Sequence, residues 1–397
     1  MVLSNLTVVY LCAMRYSIAM PQRSYKFSFV PTPKQAAQLE IEFGHSRFVW
    51  NHCLSMRQKA YRRRGESLNY VPLSRHITAL KKTSRFGWLH DCSSAVLTQK
   101  LIDLDAAYNN FFKRIAKFPR FKKKNHKQSI RYPLDQRTIH LVYQARGLLK
   151  LPKLGAIDVR WSKIPVGVPK MATVTKTASG KYFVSFSVEE EIKPLPKTGK
   201  SVGLDMGIKD VVVTSDGWFS GAPKFTKQYG KRLRKAQRGL SRKTKGSGRW
   251  KKQRIVVARI HETITNSRMD FLHKLTTKLI REYDYISIED LNVAGMVKNR
   301  KLAKAISDVG MFELRRQLVY KAGWYGKTVT VIDRWFPSTK TCSGCGQIHS
   351  MPLSKRTMNC DCGLSLDRDW NAAINIKQAG IVCRGARSAG VITSVAA

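Results

Sequence analysis

Residues 193–200, KPLPKTGK, divide this chain into stretches whose hydrophobic patterns call for different architectures. Two prolines and a glycine within eight residues interrupt both helix and strand ladder, so the segment reads as a linker. Before it, a short strand leads into a long helical region and then into β-rich runs. After it, apolar strands alternate with long helices, the pattern of an α/β domain. At 397 residues and 43% hydrophobic content, the chain is long enough for two or three domains with cores of their own.

The first stretch has legible punctuation. In SYKFSFVPTPKQAAQLE, Thr32 reads as an N-cap, Pro33 as the first helical residue and Gln35 as the return half of a capping box. The helix then runs through SRFVWNHCLSMRQKAYRRRG to a basic last turn, Arg62, Arg63 and Arg64, with Gly65 as its stop. Leu97, Leu101, Leu104, Tyr108, Phe111 and Ile115 recur at helical spacing and predict one buried stripe. Residues 33–118 are thus expected to form a helical lobe. FPRFKKKNHKQSIRY breaks that pattern. TIHLVYQARGLLKLP, AIDVRW and MATVTKTASGKYFVSFSVEEEI then predict a small barrel or curved sheet, so that residues 20–32 and 119–195 form a β-rich module. Residues 200–380 make the α/β domain. Residues 1–19 read as an upstream extension and 383–397 as a flexible tail.

Charge narrows the partner. Lys and Arg total 72 against 26 acids, a formal charge of +46, and a compact body so charged repels itself unless a polyanion neutralises it. Nucleic acid is that polyanion, and basic residues spread along the chain with aromatics interleaved favour a wrapping surface over one membrane-binding patch. No acid occurs between Asp216 and Glu262, where KRLRKAQRGLSRKTKGSGRWKKQR places Lys231, Arg232, Arg234 and Lys235 as phosphate contacts. Four of the eight cysteines cluster and the others are scattered, which argues for a reducing compartment and against a disulfide scaffold. LTVVYLCAM is apolar but short, with no basic residues before it, so neither a signal peptide nor a membrane span is expected. The expected location is the cytoplasm.

Carboxylates stand at three places where acids are costly. Asp205 sits inside the apolar strand of KSVGLDMG, Glu289 ends the apolar strand of YDYISIEDL, and Asp367 and Asp369 open the helix of LDRDWNAAINI. A carboxylate embedded in an apolar strand costs several kcal/mol unless neutralised, and a divalent cation is the usual neutraliser. Convergent carboxylates suit Mg2+ or Mn2+, and a pair of such ions supports phosphodiester cleavage. Taken separately, Asp369 is also explained as a favourable charge at a helix N-terminus and Glu289 as an ordinary strand-end acid. Why all three lie at apolar boundaries in a chain so poor in acid then stays unexplained.

Cys342 and Cys345 form a C-x-x-C pair, and Cys360 and Cys362 are placed to complete a tetrahedral zinc site. The second pair is C-x-C, tighter than usual, and His349 is a reserve ligand; unliganded or redox thiols are the alternative. Asp369 follows Cys362 by seven residues, so this loop is expected to border the acidic site.

GLDMGIKD, ISIEDL, CSGCG and DRDWNAAINI, in that order, resemble the TnpB family of transposon-encoded proteins, relatives of the compact type V CRISPR effectors. The resemblance extends to SRFVWNH, AYNNFFK and FPRFKKK and covers roughly residues 22–380. It implies a multidomain α+β protein: a helical recognition lobe and a β-barrel-like module joined to an RNase H-like α/β RuvC nuclease domain, with a zinc knuckle inserted at 336–366. It further implies a guide RNA from the transposon end and cleavage of matching double-stranded DNA beside a short transposon-adjacent motif. By motif, Asp205, Glu289 and Asp369 are the metal-binding triad; the family's acid stands two residues before Asn371, which selects Asp369 over Asp367. The helical lobe and β-rich module would grip RNA and DNA through backbone contacts, for which Arg62, Arg63, Arg64, Arg120, Lys122, Lys123 and Lys124 are candidates. The resemblance places Tyr70, Thr98 and Gln99 near the adjacent motif. No membrane or small-molecule substrate is expected. An idle nucleic-acid-binding regulator and a strand-transferring transposase are the other functions weighed.

Overall fold

The computed structural model describes residues 22–388, apart from 125–126, 135–147, 163–164, 166, 168 and 353. The expected upstream extension, the whole of the run TIHLVYQARG and residues 389–397 of the expected tail lie outside the described residues, while residues 383–388 of that tail continue the last helix, Arg368–Ser388, rather than forming a loose end. Two compact units divide the chain at the linker, Met20–Glu191 and Ile192 onward. Among the described residues, no helix is long and apolar enough to cross a membrane.

In the first unit, β1 (Gln22–Phe29) buries Tyr25, Phe27 and Phe29 on one face, the period-two pattern of a half-buried strand. It leads into α1 (Pro33–Arg64), which opens with the Thr32–Gln35 capping box, both halves formed. The helix stops at Gly65, whose φ of 67° suits glycine in the left-handed region. α2 (Tyr70–Lys81), a 3-10 helix (Ser84–Asp91) and α3 (Ser94–Phe112) follow. The remaining strands are β2 (Gln128–Pro133), β3 (Leu148–Leu151), β4 (Gly155–Arg160), β5 (Met171–Lys176) and β6 (Tyr182–Glu189). Among the described residues they form an antiparallel sheet in the order β2-β5-β6-β1-β4-β3. Leu39, Phe43 and Leu54 of α1, Leu97, Leu101 and Leu104 of α3, and Phe27 and Phe186 of the sheet share one core. The α3 stripe ends sooner than its spacing predicts. The helix closes at Phe112, Arg114 takes a left-handed φ of 57°, and Ile115 is left 72% exposed.

The second unit carries β7 (Ser201–Asp205), β8 (Val213–Thr214), α4 (Phe225–Gln228), α5 (Gly230–Ser241) and α6 (Gly248–Glu282). There follow β9 (Tyr285–Glu289), α7 (Val293–Met296), α8 (Ala303–Val309), α9 (Met311–Tyr325) and β10 (Thr328–Ile332). A small hairpin, β11 (Thr357–Asn359) and β12 (Ser365–Asp367), precedes α10 (Arg368–Ser388). The main sheet is mixed, in the order β10-β9-β7-β8: β10, β9 and β7 run parallel, and β8 is antiparallel to β7.

The two faces of this sheet are dressed differently. Val202, Leu204, Ile286 and Ile288 join Leu272 and Leu279 of α6 and Leu314 and Leu318 of α9 in one core. Alternation along a strand sends Gly203, Asp205, Ser287 and Glu289 to the opposite face. There α10 lies almost on the backbone: a Cβ on Gly203 would meet the Ala373 carbonyl oxygen at 2.1 Å, and one on Gly380 would meet Ser287 Oγ at 1.9 Å. Glycine is therefore required at both crossings. Gly203→Ala is expected to cost at least the roughly 1–3 kcal/mol of an overpacked core, because the obstructing atoms are helix backbone that cannot rotate away. Urea unfolding checks this, and an unchanged midpoint would mean that α10 does not seat on β7 this closely.

Candidate active site and metal centre

The seating of α10 brings the three acids together. β7 and β9 pair in register with Leu204 beside Ile288, so Asp205 and Glu289 end neighbouring parallel strands on the face that α10 covers. Ala373 overlies Gly203, and Asp369 lies one helical turn before it, toward the strand ends. Asp205 is 9% exposed. Burial, then the charges of Glu289 and Asp369, push its carboxyl up to about 8, against an opposing contribution from Arg368. Burial also raises Glu289. Among the described residues, neither Asp205 nor Glu289 has a Lys or Arg in salt-bridge reach. Asp290, next in the chain, is by contrast taken up by Arg315 and Arg334, which hold it below the usual carboxylate range.

Other groups fix these acids, and sequence reasoning missed them. Ser338 Oγ donates a short hydrogen bond to Glu289 Oε1. Asn375 Nδ2 donates to the carbonyls of Ser338 at 2.8 Å and Thr341 at 2.6 Å. Asn371 Nδ2 donates to the Thr341 carbonyl at 2.8 Å, and its Oδ1 accepts from the Ser343 N–H at 2.9 Å. Both asparagines are buried, and they fasten the loop 338–343 to the helix that carries Asp369. Their signal was two amides four residues apart on an apolar helix face. Asp367 plays a different part, capping α10: its Oδ1 accepts from the backbone N–H of Asp369 at 2.8 Å and of Trp370 at 3.3 Å.

That same loop opens the cysteine cluster. Cys342 and Cys362 place their sulfurs 3.6 Å apart, Cys345 and Cys360 3.4 Å apart, and all four lie within 4.8 Å of one another. Tetrahedral zinc with bonds of about 2.3 Å needs sulfurs roughly 3.7–3.8 Å apart, so the donor set fits. Burial raises the Cys342 thiol, but the N–H groups of Cys345 and Gly344, with the Cys360 and Cys362 thiols, outweigh it and bring the thiol down to about 7, while the neighbouring sulfurs push Cys360 and Cys362 up. His349 stands outside this foursome, with its Nε2 3.2 Å from Cys360 Sγ. Among the described residues, the cysteines are the one group of three or more such side chains gathered closely enough for a single metal ion. The three carboxylates are more widely spread.

The candidate nucleic-acid contacts divide by exposure. Arg62, Arg63 and Arg64 form the exposed last turn of α1, and Lys231, Arg232, Arg234 and Lys235 are exposed on α5, whose opposite side buries Ala236 against Ile260 and Ile264 of α6. Arg120, Lys123 and Lys124 are also exposed, on a segment pinned to α1: Trp50 Nε1 donates to the Arg120 carbonyl at 2.9 Å, and Asn51 Nδ2 to that of Lys122 at 3.0 Å. Lys122 stands 3.7 Å over the Trp50 ring, and burial, with Lys100 beside it, lowers its amine to about 7. Tyr70 and Thr98 are half-buried, whereas Gln99 is 8% exposed and faces the interior of its own unit.

Residues 184–300 match a family described as "Probable transposase", residues 312–376 a "Cas12f1-like, TNB domain" and residues 20–66 a "Helix-turn-helix domain". The last stretch folds here as β1 and the single long helix α1. A protein of Streptomyces pristinaespiralis named "Putative RNA-guided DNA endonuclease" is 44% identical over 365 residues, 91% of this chain and 90% of its own. One of Escherichia coli K12, "Putative RNA-guided DNA endonuclease InsQ", is 34% identical over 90% of this chain and 92% of its own. Among solved structures, the protein in a "Cas12f1-sgRNA-target DNA complex" superposes with a TM-score of 0.54 at 13% identity, covering 87% of this chain and 82% of that one, a likeness of fold.

Proposed function

We propose, from the premise that this chain belongs to the TnpB family, that it is an RNA-guided, divalent-metal-dependent DNA endonuclease. The observation that carries the reading is the meeting of Asp205, Glu289 and Asp369 on the face covered by α10, where, among the described residues, no Lys or Arg is in salt-bridge reach of Asp205 or Glu289. Hard carboxylate oxygens suit Mg2+ or Mn2+. Asp205, Glu289 and Asp369 would hold such ions, which when bound would supply water activation and stabilisation of the leaving oxygen of a phosphodiester. The chain's own contribution is positional. Ser338 orients Glu289, the Asp367 cap fixes the first turn that carries Asp369, and Gly203 lets that helix come down onto Asp205.

A mixed sheet with β8 antiparallel on one side and β9 and β10 parallel on the other supports an RNase H-like, RuvC-type domain over 200–380. The cysteines support a zinc knuckle at 336–366 that braces the acids through Asn371 and Asn375. Residues 33–118, as helical recognition lobe, and 20–32 with 119–195, as β-rich module, would hold the guide RNA and the DNA beside its adjacent motif. The exposed cations of α1, 120–124 and α5 would meet phosphate. The names of the relatives and the +46 charge support these partners. The place of action on this reading is the bacterial or archaeal cytosol.

The description of the matched family as a transposase favours a second reading, strand transfer. One experiment separates them: sequence the RNA that copurifies with the chain, then supply Mg2+ and a plasmid library matching its variable end beside a randomised flank that includes the adjacent motif. A discrete RNA with a constant scaffold, and linearised plasmid, are expected. Heterogeneous RNA, or joined rather than cut products, would contradict the proposal.

A further inference from the structure

A cavity of about 260 Å3 lies in the second unit, between the start of α4, the middle of α6 and α8. Its walls are Pro223, Phe225, Phe271 and Val309, with the two phenyl rings edge to face and their centroids 6.3 Å apart. It falls below the about 300–1,000 Å3 of sites for drug-sized ligands, so its guest is a small flat group rather than an extended one.

The charged groups left without an ion pair here, among the described residues, are of one sign. Asp308 is the one acid in the lining among the described residues, and it is spent: its oxygens accept from the Thr226 N–H, from Thr226 Oγ at 2.7 Å and from Arg268 Nη2 at 2.9 Å. Lys227, Lys301 and Lys304 are exposed at the lining, and none is in an ion pair among the described residues. An apolar, aromatic-walled slot with unneutralised ammonium groups at its edge matches a guest with a flat π-face joined to an anion. A nucleotide has that composition.

We infer that this cavity takes one unstacked nucleotide of the bound nucleic acid, its base against the wall that Phe225 and Phe271 form together and its phosphate on Lys301 and Lys304. The inference rests on the proposed function only in taking nucleic acid as the partner. The slot would hold the strand in register, since a base can enter only where it leaves the stack. It has no contact with Asp205, Glu289 or Asp369 in its lining, so its role is binding.

The test has two arms, neither of which reads cleavage. Nucleic-acid-free full-length protein is titrated calorimetrically with AMP, adenosine and inorganic phosphate. AMP is expected to bind more tightly than either part alone, and the surface double variant Lys301→Glu, Lys304→Glu to weaken it about tenfold, the order of a lost base or phosphate contact, with an unchanged melting temperature. In the second arm the copurified ribonucleoprotein, with and without target DNA, is irradiated with ultraviolet light and digested. A nucleotide adduct on the peptides carrying Phe225 or Phe271 is expected, its mass separating a guide ribonucleotide from a target deoxynucleotide. AMP binding no tighter than phosphate, binding untouched by the double variant, or adducts confined to other peptides would overturn the inference, while guided cleavage could still stand.

Discussion

Asp205→Asn should remove DNA cleavage, by at least the roughly 10²–10³-fold that loss of a single electrostatic stabiliser costs, while leaving RNA binding unchanged and making the metal-free protein more stable. The gain in stability follows from what the site is built for. Asp205 is buried beside two other acids, so without ions its folded carboxyl is pushed up to about 8. In the unfolded chain it titrates near the ordinary aspartate value of about 3.9. Between those values the folded state keeps a proton that the unfolded state has released, so metal-free stability falls as pH rises from about 4 to about 8. Asparagine cannot ionise, and the variant should lose that part of the slope. Thermal unfolding in chelator at pH 5 and pH 8 checks it; equal slopes for wild type and variant would show that Asp205 is not held against its neighbours' charge. Undiminished cutting by the variant would remove Asp205 from the chemistry altogether.

Replacing Cys342 and Cys345 together by Ser should release a zinc ion and lower both stability and activity. Structural zinc binds zinc-finger peptides with an apparent free energy of about 10–16 kcal/mol, and two lost thiolates forfeit most of that. The effect should reach the acids because the loop that opens the cluster is the one Asn371 and Asn375 fasten to α10, and Ser338 on that loop holds Glu289. A fall in cleavage of about 10–100-fold, the range for groups that orient metal ligands, is expected before the chain unfolds. Metal analysis of the purified wild type should find about one zinc per chain. Its absence would end the zinc assignment.

The residues that bear the proposed chemistry were legible because each broke a local rule. Asp205 is an acid in an apolar strand, and the cysteines stand at ligand spacing in a chain whose other cysteines are scattered. Their supports broke no such rule. Gly203 reads as one more strand glycine, and its need for a bare backbone appears only when Ala373, far along the chain, is laid upon it. Asn371 and Asn375 have partners in a loop some thirty residues earlier. Spacing alone left Asp367 and Asp369 as rivals, and hydrogen bonding engages an oxygen of each: Asp367 Oδ1 caps the helix and Asp369 Oδ1 accepts from Arg368. Periodicity carried the α3 stripe to Ile115, but a left-handed Arg114 ended the helix before it. Gln99 looks like any polar helix residue until packing turns it inward.

Divalent ions shared by Asp205, Glu289 and Asp369 are the centre of the proposed chemistry. Crystals of the wild-type ribonucleoprotein with target DNA, soaked in Mn2+ and measured at the manganese absorption edge, test that directly. Two anomalous peaks about 3.5–4 Å apart among these carboxylates are predicted. Manganese bound elsewhere, with no peak within coordination distance of Asp205, would contradict it.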